Sequence, residues 1–478
     1  MASRAKQLVV VGHGAAGLAA AVTAAEAAKR HGVAIEITLI EKAREAEAGG
    51  NTRFSPSYMR MAAPDRMEPC FEADMQEASG GRADTSYFRT LFEQAVPTAA
   101  WLQGHGVEFV IPTYYLSVGP PRIQPVGGGR AIVEQLGAAA KAAGVTLRFE
   151  SAASGLISSA AGQISGVTFR SEREGTVTLD ADAVILASGG FQGDAAMMQQ
   201  HFGPRAASLR LISPGTRFNS GDGIRMAQER GANIVGDLNG MHIEPVDPRS
   251  THPAPVVLVY PYGIVVDRDG HRFFDEGGGL VHETWEAFAR DIHFSRPDGI
   301  AYAVLDSSLF EIEGYQRAIR SDVAPYRSET IEGLAAQIGI PASNLRRTVD
   351  VYNNAATGDA ARFDPTRCDG LAAAATLAPP KSNWARAIEK PPFVSYPLVG
   401  AVAYTFGGLS TNAMAEVLDD GGPIPGLYAA GEITGHFHGT APNAVSVLRA
   451  LVFGRIAGQQ AVAFCLRSSR ERRSHLGC

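Results

Sequence analysis

The chain has 478 residues, of which 45% are hydrophobic and 19% are charged, as is usual for a globular protein. This length exceeds what one simple core supports, so two or three lobes are expected. The formal net charge is −6 and long basic runs are absent, which excludes nucleic acid as an expected partner.

The four cysteines stand apart from one another and form no C-x-x-C pair. This pattern argues against iron–sulfur clusters, zinc and c-type haem, so no metal site is expected. Sparse cysteine use also fits a reducing compartment. No apolar run reaches membrane-spanning length, and the first predicted strand begins by Leu8, which leaves no room for a signal peptide. The sequence therefore predicts a cytoplasmic protein without an integral membrane segment.

A glycine-rich turn lies between a predicted strand at residues 8–11 and a predicted helix at residues 18–29. Its three glycines have the spacing G-x-G-x-x-G and are Gly12, Gly14 and Gly17. In this motif the first allows a tight turn, the second lets the backbone approach a pyrophosphate, and the third lets the helix pack closely on the strand. A second strand, 35–40, ends at Glu41, which can accept a hydrogen bond from a ribose hydroxyl. The motif favours NAD or FAD over NADP and does not choose between them.

Apolar runs and helical periodicity predict the other elements. Strands are expected at 107–111, 145–150, 155–170, 175–179, 183–187, 256–266, 272–276, 302–305 and 427–430. Helices are expected at 91–105, 131–143, 331–338, 345–356 and within 441–464. In the predicted strand 256–266, alternation would place Tyr260 and Tyr262 on one face.

Four separated pieces of sequence carry a family resemblance. They are VVVGHGAAGLAAA (9–21) with Glu41, GGNT (49–52), AVILASGGF (183–191), and GLYAAGE (426–432) with LVFGRIAG (451–458). In this order they resemble the flavoproteins related to fumarate reductase, succinate dehydrogenase and 3-ketosteroid dehydrogenase. Within that family the chain is most similar to the stand-alone FAD-dependent tricarballylate dehydrogenase group.

The resemblance implies an α/β fold in which an FAD-binding, Rossmann-like domain of the glutathione-reductase type is interrupted by an α+β capping domain. The expected parts are the first FAD-binding segment at 1–240, the substrate-capping domain at 241–370 and the second FAD-binding segment at 371–478. Substrate would lie between the cap and the flavin, where closure would exclude water.

The resemblance also implies a set of FAD-binding residues. They are Gly12, Gly14, Ala15, Ala16, Gly17, Glu41, Lys42, Gly49, Gly50, Asn51, Thr52, Ala153, Ala187, Ser188, Gly189, Gly190, Asp222, Gly431, Glu432, Val447 and Leu448. Val447 and Leu448 would present backbone N–H groups at a helix N-terminus to the flavin pyrimidine oxygen, where reduced flavin carries negative charge. Family members with covalent FAD use a histidine at the position of Asn51, so the FAD is expected to be non-covalent.

This chain departs from the family where carboxylates are bound. The family arginine that follows a motif like RFFDE (272–276) is replaced by the apolar and glycine residues 277–281. A second arginine, expected after an H-G pair, is absent from 440–443, and Tyr404 stands where the family has a histidine. Since arginine is the usual bidentate partner of a carboxylate, these departures predict a substrate other than fumarate, succinate or tricarballylate.

The residue that transfers the proton is left open among several candidates. They are Tyr404, His282, His438 and Tyr262, while His242 matches the family histidine between flavin and cap. Four arginines fall in loops that could border the substrate: Arg53, Arg60, Arg122 and Arg130. A surface position is favoured for all of them except Arg53. For His436 and His438, a flavin-facing loop is favoured over a metal pair.

The sequence as a whole predicts an FAD-dependent oxidoreductase that acts on a C–C bond of an organic acid or carbonyl compound. Both desaturation and alkene reduction remain open, with a preference for dehydrogenation because the most similar group oxidises its substrate. Electrons would pass to or from a separate partner, which could be a quinone, free flavin, oxygen or a redox protein. The alternative is a non-catalytic FAD-binding or electron-transfer subunit of a larger complex.

Overall fold

The computed structural model describes residues 5–116 and 118–474. Its helices are α1 (Ala15–Arg30), α2 (Phe71–Ala78), α3 (Thr85–Gly104), α4 (Gly129–Ala142), α5 (Ala195–Phe202), α6 (Asp222–Gln228), α7 (Val281–Arg290), α8 (Ile331–Ile338), α9 (Ala342–Ala355) and α10 (Ser446–Ser474). In this part of the chain, no helix combines the length and the apolar character needed to cross a membrane.

The strands of the first half are β1 (Lys6–Val11), β2 (Ile35–Ile40), β3 (Phe109–Val110), β4 (Gln124–Pro125), β5 (Thr146–Arg148), β6 (Ser151–Ser158), β7 (Ile164–Ser171), β8 (Gly175–Asp180), β9 (Ala183–Leu186), β10 (Arg210–Leu211) and β11 (Ile234–Val235). Those of the second half are β12 (Met241–Val246), β13 (Ile264–Val266), β14 (Ala301–Leu305), β15 (Tyr326–Ser328), β16 (Phe393–Thr405), β17 (Gly408–Leu409), β18 (Glu416–Asp419) and β19 (Gly422–Ala429).

The first large sheet has the order β18-β19-β9-β1-β2-β5, and all its pairings except β18–β19 are parallel. In its central strands β1 and β9, residues 8–11 and 183–186 are all apolar and buried, as a parallel sheet covered on both faces requires. Because the strands are parallel, the residues after β1, β2, β9 and β19 all emerge at one edge of the sheet. In open α/β sheets, ligands bind in the crevice outside that edge.

Helices α1 and α10 cover one face of this sheet and cross each other closely. A Cβ on Gly454 would lie 2.4 Å from the Ala16 carbonyl oxygen, and one on Gly458 would lie 2.4 Å from that of Ala20. Small residues on both helices therefore allow backbone-to-backbone approach. This contact fixes the position of the α10 N-terminus relative to the turn after β1.

A second sheet is built around the long strand β16. Strands β12, β14 and β15 pair with it in antiparallel fashion and β10 pairs with it in parallel, while β13 adds to β14. Its strands thus come from residues 210–405, a wider span than the predicted capping segment 241–370. The three domain boundaries stay predictions. Strands β6, β7 and β8 form a separate three-stranded meander, one strand more than the predicted hairpin.

Two predicted strands of the capping segment are wrong. Of residues 256–266 only the end, β13, is a strand, and Tyr260–Tyr262 forms a single 3-10 turn, so the two tyrosines do not alternate along a strand. Pro261 at the centre of that turn has no N–H for a sheet. Residues 272–276 curl instead of extending, because Arg272 Nη2 pairs with Glu276 Oε2 at 2.6 Å.

Candidate active site

A cavity of about 740 Å³ opens at the edge of the first sheet where its parallel strands end. It is lined by the turns after β1, β2, β9 and β19 and continues to residues of β12, α7 and β16. This volume lies in the upper part of the range of about 300–1,000 Å³ that is typical of small-molecule and cofactor sites. One continuous cavity therefore reaches from the predicted nucleotide cleft to the second sheet.

The turn after β1 has the geometry that its glycines predict. Gly12 has φ +109°, and a Cβ there would lie 2.4 Å from the Ala187 carbonyl oxygen. A Cβ on Gly17 would lie 1.8 Å from the Gly12 carbonyl oxygen, so the start of α1 packs directly on the turn. Gly14 precedes α1 without a capping side chain, and the first-turn N–H groups of the helix face a cavity suited to an anion.

Glu41 and His13 form the wall of the cleft beside this turn. The buried Glu41 carboxylate accepts the His13 and Ala43 backbone N–H groups, each at 2.8 Å. Burial raises the pKa of Glu41 despite these bonds. Both ring nitrogens of His13 are buried without a partner in residues 5–116 and 118–474, and burial together with Lys141 lowers its pKa to about 4. A neutral ring with unused hydrogen-bonding capacity at this wall fits a site that a ligand completes.

The N-terminus of α10 and the turn after β19 close the opposite side of the cleft. Gly431, Ser446 and Val447 line it, and helix α10 directs its first N–H groups toward the cavity. Glu432 accepts hydrogen bonds from the Thr405 backbone N–H and the Asn219 side-chain amide, both at 3.1 Å. Burial raises the pKa of Glu432 to about 7.

Asn51 is held by three hydrogen bonds next to the cavity. Its Nδ2 donates to the Ala403 carbonyl oxygen at 2.8 Å, and its Oδ1 accepts from Ser213 Oγ at 3.0 Å and from Thr216 Oγ1 at 2.6 Å. The side chain therefore links the loop after β2 to β16. Asn51 also lacks the ring nitrogen with which a histidine could bond covalently to a flavin.

Most of the predicted FAD-binding residues lie on the cavity wall. These are Gly12, Gly14, Ala15, Ala16, Glu41, Lys42, Gly50, Asn51, Thr52, Ala153, Ala187, Ser188, Gly189, Asp222, Gly431, Glu432 and Val447. Four others, Gly17, Gly49, Gly190 and Leu448, are absent from the wall and pack behind it. Lys42 and Asp222 pair with each other at 2.9 Å. The contact of each residue with the cofactor stays a prediction.

The far end of the cavity contains a histidine between two carboxylates. His242 on β12 contacts Glu286 of α7 through Nδ1 and Glu244 through Nε2, the latter at 3.0 Å. Burial alone would lower the pKa of His242, but the Glu286 and Glu244 carboxylates raise it to about 10. The ring is therefore an imidazolium at neutral pH.

Tyr404 on β16 lies beside this histidine. Its ring centroid is 4.9 Å from that of His242, its cross-strand neighbour in the sheet. Burial and the nearby Glu286 carboxylate raise the pKa of Tyr404 well above its ordinary value. Its hydroxyl makes no hydrogen bond to any residue that the structure describes and remains protonated at neutral pH. It can therefore donate a proton to a ligand.

The other proton-transfer candidates do not all lie at the cavity. His282 lines the cavity, and burial lowers its pKa. Tyr262 and His438 do not line it: the Tyr262 hydroxyl donates to the Pro365 carbonyl oxygen at 2.9 Å, and His438 Nδ1 lies 3.3 Å from Asp237 Oδ1. We therefore do not retain Tyr262 and His438 as proton-transfer residues.

The loop residues 436–438 do not face the cavity as the sequence favoured. The His436 ring is buried and stacks on Tyr87 with centroids 3.7 Å apart, and its Nε2 is paired with Thr411 Oγ1 at 2.8 Å. Aromatic stacking thus turns His436 into the interior. His438 is held outward by Asp237.

Of the three loop arginines for which a surface position was favoured, Arg130 is exposed, but the prediction is wrong for Arg60 and Arg122. Arg60 is buried, lines the cavity and pairs with Glu68 and Asp74. Arg122 is also buried and lines it. Arg53, the one favoured for the site, is partly exposed, donates to the Ala48 carbonyl oxygen at 3.2 Å and is not part of the lining.

Several lining residues were missed by sequence reasoning. They are Glu244, Glu286, Trp285, Tyr58 and Tyr115. Glu286 lies one residue after Trp285 on α7, and nothing in its sequence context distinguishes it from a surface glutamate. For Tyr58 and Tyr115, their position in Pro/Gly-rich loops near Arg60 and Arg122 was the available signal.

Comparison with known proteins identifies the ligand class that the cleft binds. A family model described as "FAD binding domain" matches residues 7–447. The chain belongs to this FAD-binding family. FAD is its cofactor, and the glycine turn, the two helix N-termini and the unpartnered His13 ring fit that group. The family resemblance predicted from the sequence is confirmed; the finer resemblance to tricarballylate dehydrogenases stays a prediction.

Similar proteins include both reductases and dehydrogenases. The chain is 27% identical over 488 residues to a probable fumarate reductase, Ifc3, of Shewanella frigidimarina, covering 97% of this chain and 76% of that protein. It is 32% identical over 361 residues to the 4-oxocyclohexanecarboxylate 2-dehydrogenase of Sinomonas cyclohexanicum, covering 70% and 61%. The open conformation of a flavocytochrome c3 fumarate reductase superposes with a TM-score of 0.77 at 26% identity, covering 97% and 79%.

Proposed function

We propose that this FAD-binding chain is an oxidoreductase that acts on CH–CH groups, desaturating an organic acid or carbonyl compound or reducing the corresponding alkene. The observation that carries the proposal is that the FAD cleft and the protonated Tyr404–His242 pair share one cavity. Relatives that reduce fumarate and that dehydrogenate 4-oxocyclohexanecarboxylate support this reaction class.

Bound FAD would supply hydride transfer to or from one carbon of the substrate, and the chain must then manage a proton at the neighbouring carbon. Tyr404 is our candidate for this step, because it lines the cavity and its raised pKa keeps the hydroxyl protonated. A group in that state is suited to proton donation, which belongs to alkene reduction. In desaturation the same oxygen would first have to lose its own proton to solvent before it could receive one from the substrate, and the raised pKa of Tyr404 opposes that ionisation.

His242 has a supporting part in this proposal. As an imidazolium between Glu244 and Glu286, it contacts both part-buried carboxylates beside Tyr404 and offsets one of their two negative charges. Without that charge, the carboxylates would raise the cost of the negative charge that develops on a reacting substrate. We therefore assign His242 to electrostatic positioning. His282, the other lining candidate, would be neutral because burial lowers its pKa.

Electrons are proposed to come from, or go to, a separate quinone, free flavin, oxygen or redox protein, and the location is proposed to be cytoplasmic. FAD is proposed to be non-covalent because Asn51 offers no ring nitrogen. The competing function is an FAD-binding electron-transfer subunit without its own substrate. It would share the cleft but would have no use for a protonated tyrosine at its end.

The visible spectrum of the purified protein, followed anaerobically, tests the proposal. We expect a yellow protein that releases FAD on acid precipitation. Saturated acids or ketones should bleach the flavin if the enzyme is a dehydrogenase; if it is a reductase, enoates or enones should reoxidise the dithionite-reduced protein. A yellow protein that responds to neither panel would contradict the enzymatic function and favour the electron-transfer subunit.

A further inference from the structure

Arg122 is a buried cation stacked between aromatic rings. Its side chain has only 3% of its surface exposed, although it lies in a loop rich in proline and glycine. The guanidinium carbon is 3.8 Å from the ring centroid of Tyr58 and 3.8 Å from that of Tyr114, with Tyr115 at 4.9 Å. Such stacking holds the guanidinium in place and leaves its in-plane N–H donors for other partners.

Two of these donors find no acceptor in the described part of the chain. Nε and Nη2 of Arg122 are buried and make no hydrogen bond to any residue within 5–116 and 118–474. No carboxylate of the described residues forms an ion pair with it. In two other arginines, Nε and Nη2 each donate to a different oxygen of one carboxylate. The Nε and Nη2 distances are 2.9 and 2.7 Å in the Arg249–Asp247 pair and 2.7 and 2.8 Å in the Arg346–Glu332 pair.

A buried and unpaired guanidinium is energetically unfavourable. Arginine cannot escape this cost by losing its proton, because the guanidinium stays protonated in proteins. Removing a charge from water without a counter-charge carries a large desolvation cost, and the cation–π contacts offset only part of it. A missing anion would account for the arrangement. Arg122 lines the main cavity, so a ligand bound there reaches it.

Among the three arginines that the described residues contribute to the cavity wall, Arg122 is buried and has no paired carboxylate. Arg60 also lines the cavity, but Glu68 and Asp74 pair with it. Arg320, the third arginine of the lining, is partly exposed to solvent. Flat apolar surfaces flank this end of the cavity, provided by Tyr115 and Trp285, whose ring centroids are 5.9 Å apart.

We propose that Arg122 binds the carboxylate of an organic monocarboxylate whose flat or unsaturated apolar skeleton lies against these aromatic rings. This inference deepens the proposed function by naming the substrate class and rests on it for the chemistry that follows binding. Tyr114 would hold the guanidinium in place: it packs over the backbone at Gly119, and its hydroxyl accepts from Asn443 Nδ2 at 2.9 Å. One buried charge selects one carboxylate, in agreement with the absence of the two family arginines.

Binding to the oxidised holoenzyme tests the subsite without requiring turnover. The probes are matched pairs of equal shape, benzoate with benzamide and crotonate with crotonamide, and the readout is the perturbation of the flavin absorbance. Wild-type protein should bind at least one carboxylate tenfold or more tightly than its amide. Arg122→Gln should weaken binding of that carboxylate by about 50-fold or more and change binding of the amide by less than threefold.

Control variants separate this effect from folding and from bulk charge. Arg130→Gln removes an exposed arginine eight positions away and should leave all affinities unchanged. Should Arg122→Gln fail to hold FAD, Arg122→Lys keeps the charge but not the planar donor array, and should cost about tenfold for the carboxylate alone. A wild-type protein without preference for carboxylates, or a preference that survives in the Arg122 variant that is measured, would overturn the inference.

Failure of the subsite and failure of the proposed function give different results. If the protein prefers carboxylates through Arg122 but no substrate reduces or reoxidises its flavin, the anion site is supported and the enzymatic function is contradicted. A protein that turns over carboxylate substrates such as enoates with equal efficiency in wild type and Arg122→Gln retains the function and loses the anion site.

Discussion

The Nε2 atom of His242 lies 3.0 Å from Oε1 of Glu244, at the far end of the cavity that the FAD cleft opens into. Glu286, from helix α7, holds the other ring nitrogen of the same histidine. Strand β12 and helix α7 are thus tied together by one charged ring. The charge state of His242 should therefore influence both the stability of this region and the field at Tyr404.

Glu286→Gln should destabilise the protein in a pH-dependent way. The folded pKa of His242, about 10, is above its ordinary value of 6.5, so its stabilisation is complete below about pH 6.5 and is lost as the pH rises through 10. Removing one partner of a buried pair costs about 3 kcal/mol. The Tm deficit of the variant, measured by flavin release, should be largest at pH 6 and shrink toward pH 10.

The control for this series is Glu134→Gln, on the exposed side of α4, which should match wild type at every pH. A Tm deficit of Glu286→Gln that stays constant from pH 6 to pH 10 would contradict a protonated His242.

Tyr404→Phe should remove proton transfer while leaving FAD bound. The hydroxyl lies beside His242 on the cavity wall and its pKa is raised, so the variant loses a positioned acid that is worth about 10²–10⁴ in rate. The measurement is the rate at which an unsaturated substrate reoxidises the dithionite-reduced protein.

Tyr262→Phe is the matched control, because the Tyr262 hydroxyl is bonded to Pro365 outside the cavity. It should keep the wild-type rate within about threefold. Equal rates for Tyr404→Phe and wild type would eliminate Tyr404 as the proton donor.

The cofactor half of the site could be predicted from sequence because its signals are local. A buried apolar strand that runs into glycines, as at 8–14 and 183–190, specifies both a strand end and a close ligand approach within ten residues. Parallel pairing then brings such ends to one edge. This is why α1, β1, β2 and the FAD cofactor were predicted correctly.

The substrate half could not be predicted in the same way, because it depends on contacts between distant segments. Glu286 meets His242 across 44 positions, and no periodicity in α7 marks that contact. Arg122 lies in a loop of prolines and glycines and is buried only because Tyr58 and Tyr114 enclose it. Residues 256–266 have strand-like composition, but Pro261 interrupts the ladder.

Gly17→Ala should abolish FAD binding or folding. Its Cβ would lie 1.8 Å from the Gly12 carbonyl oxygen, a distance that no side-chain adjustment can relieve because the neighbour is backbone. Gly104→Ala, in helix α3, meets no atom within 4 Å and should instead stabilise the protein by about 0.5–1 kcal/mol through helix propensity. FAD content after gel filtration and Tm distinguish the two; a Gly17→Ala variant with full FAD content would contradict the close packing.

Gly458→Ala should weaken the protein through the contact between α10 and α1. Two effects compete: alanine gains about 1 kcal/mol of helix propensity, but its Cβ would lie 2.4 Å from the Ala20 carbonyl oxygen. Overpacking of this kind costs about 1–3 kcal/mol, and the contacted atom belongs to the backbone of α1, which cannot move aside as a side chain could. The cost of the clash should therefore exceed the gain in helix propensity. Since α10 carries Ser446 and Val447 to the cavity wall, its displacement should also raise the Kd for FAD.

The control for Gly458→Ala is Gly137→Ala within α4, where the nearest atom to the new Cβ would be 3.9 Å away. That substitution gains the same helix propensity without a clash and should raise Tm. Tm and FAD affinity, measured for both variants, separate the effect of helix propensity from the effect of packing. If Gly458→Ala is as stable as Gly137→Ala and binds FAD with unchanged affinity, α10 can move away from α1 without disturbing the cofactor site, and the prediction is wrong.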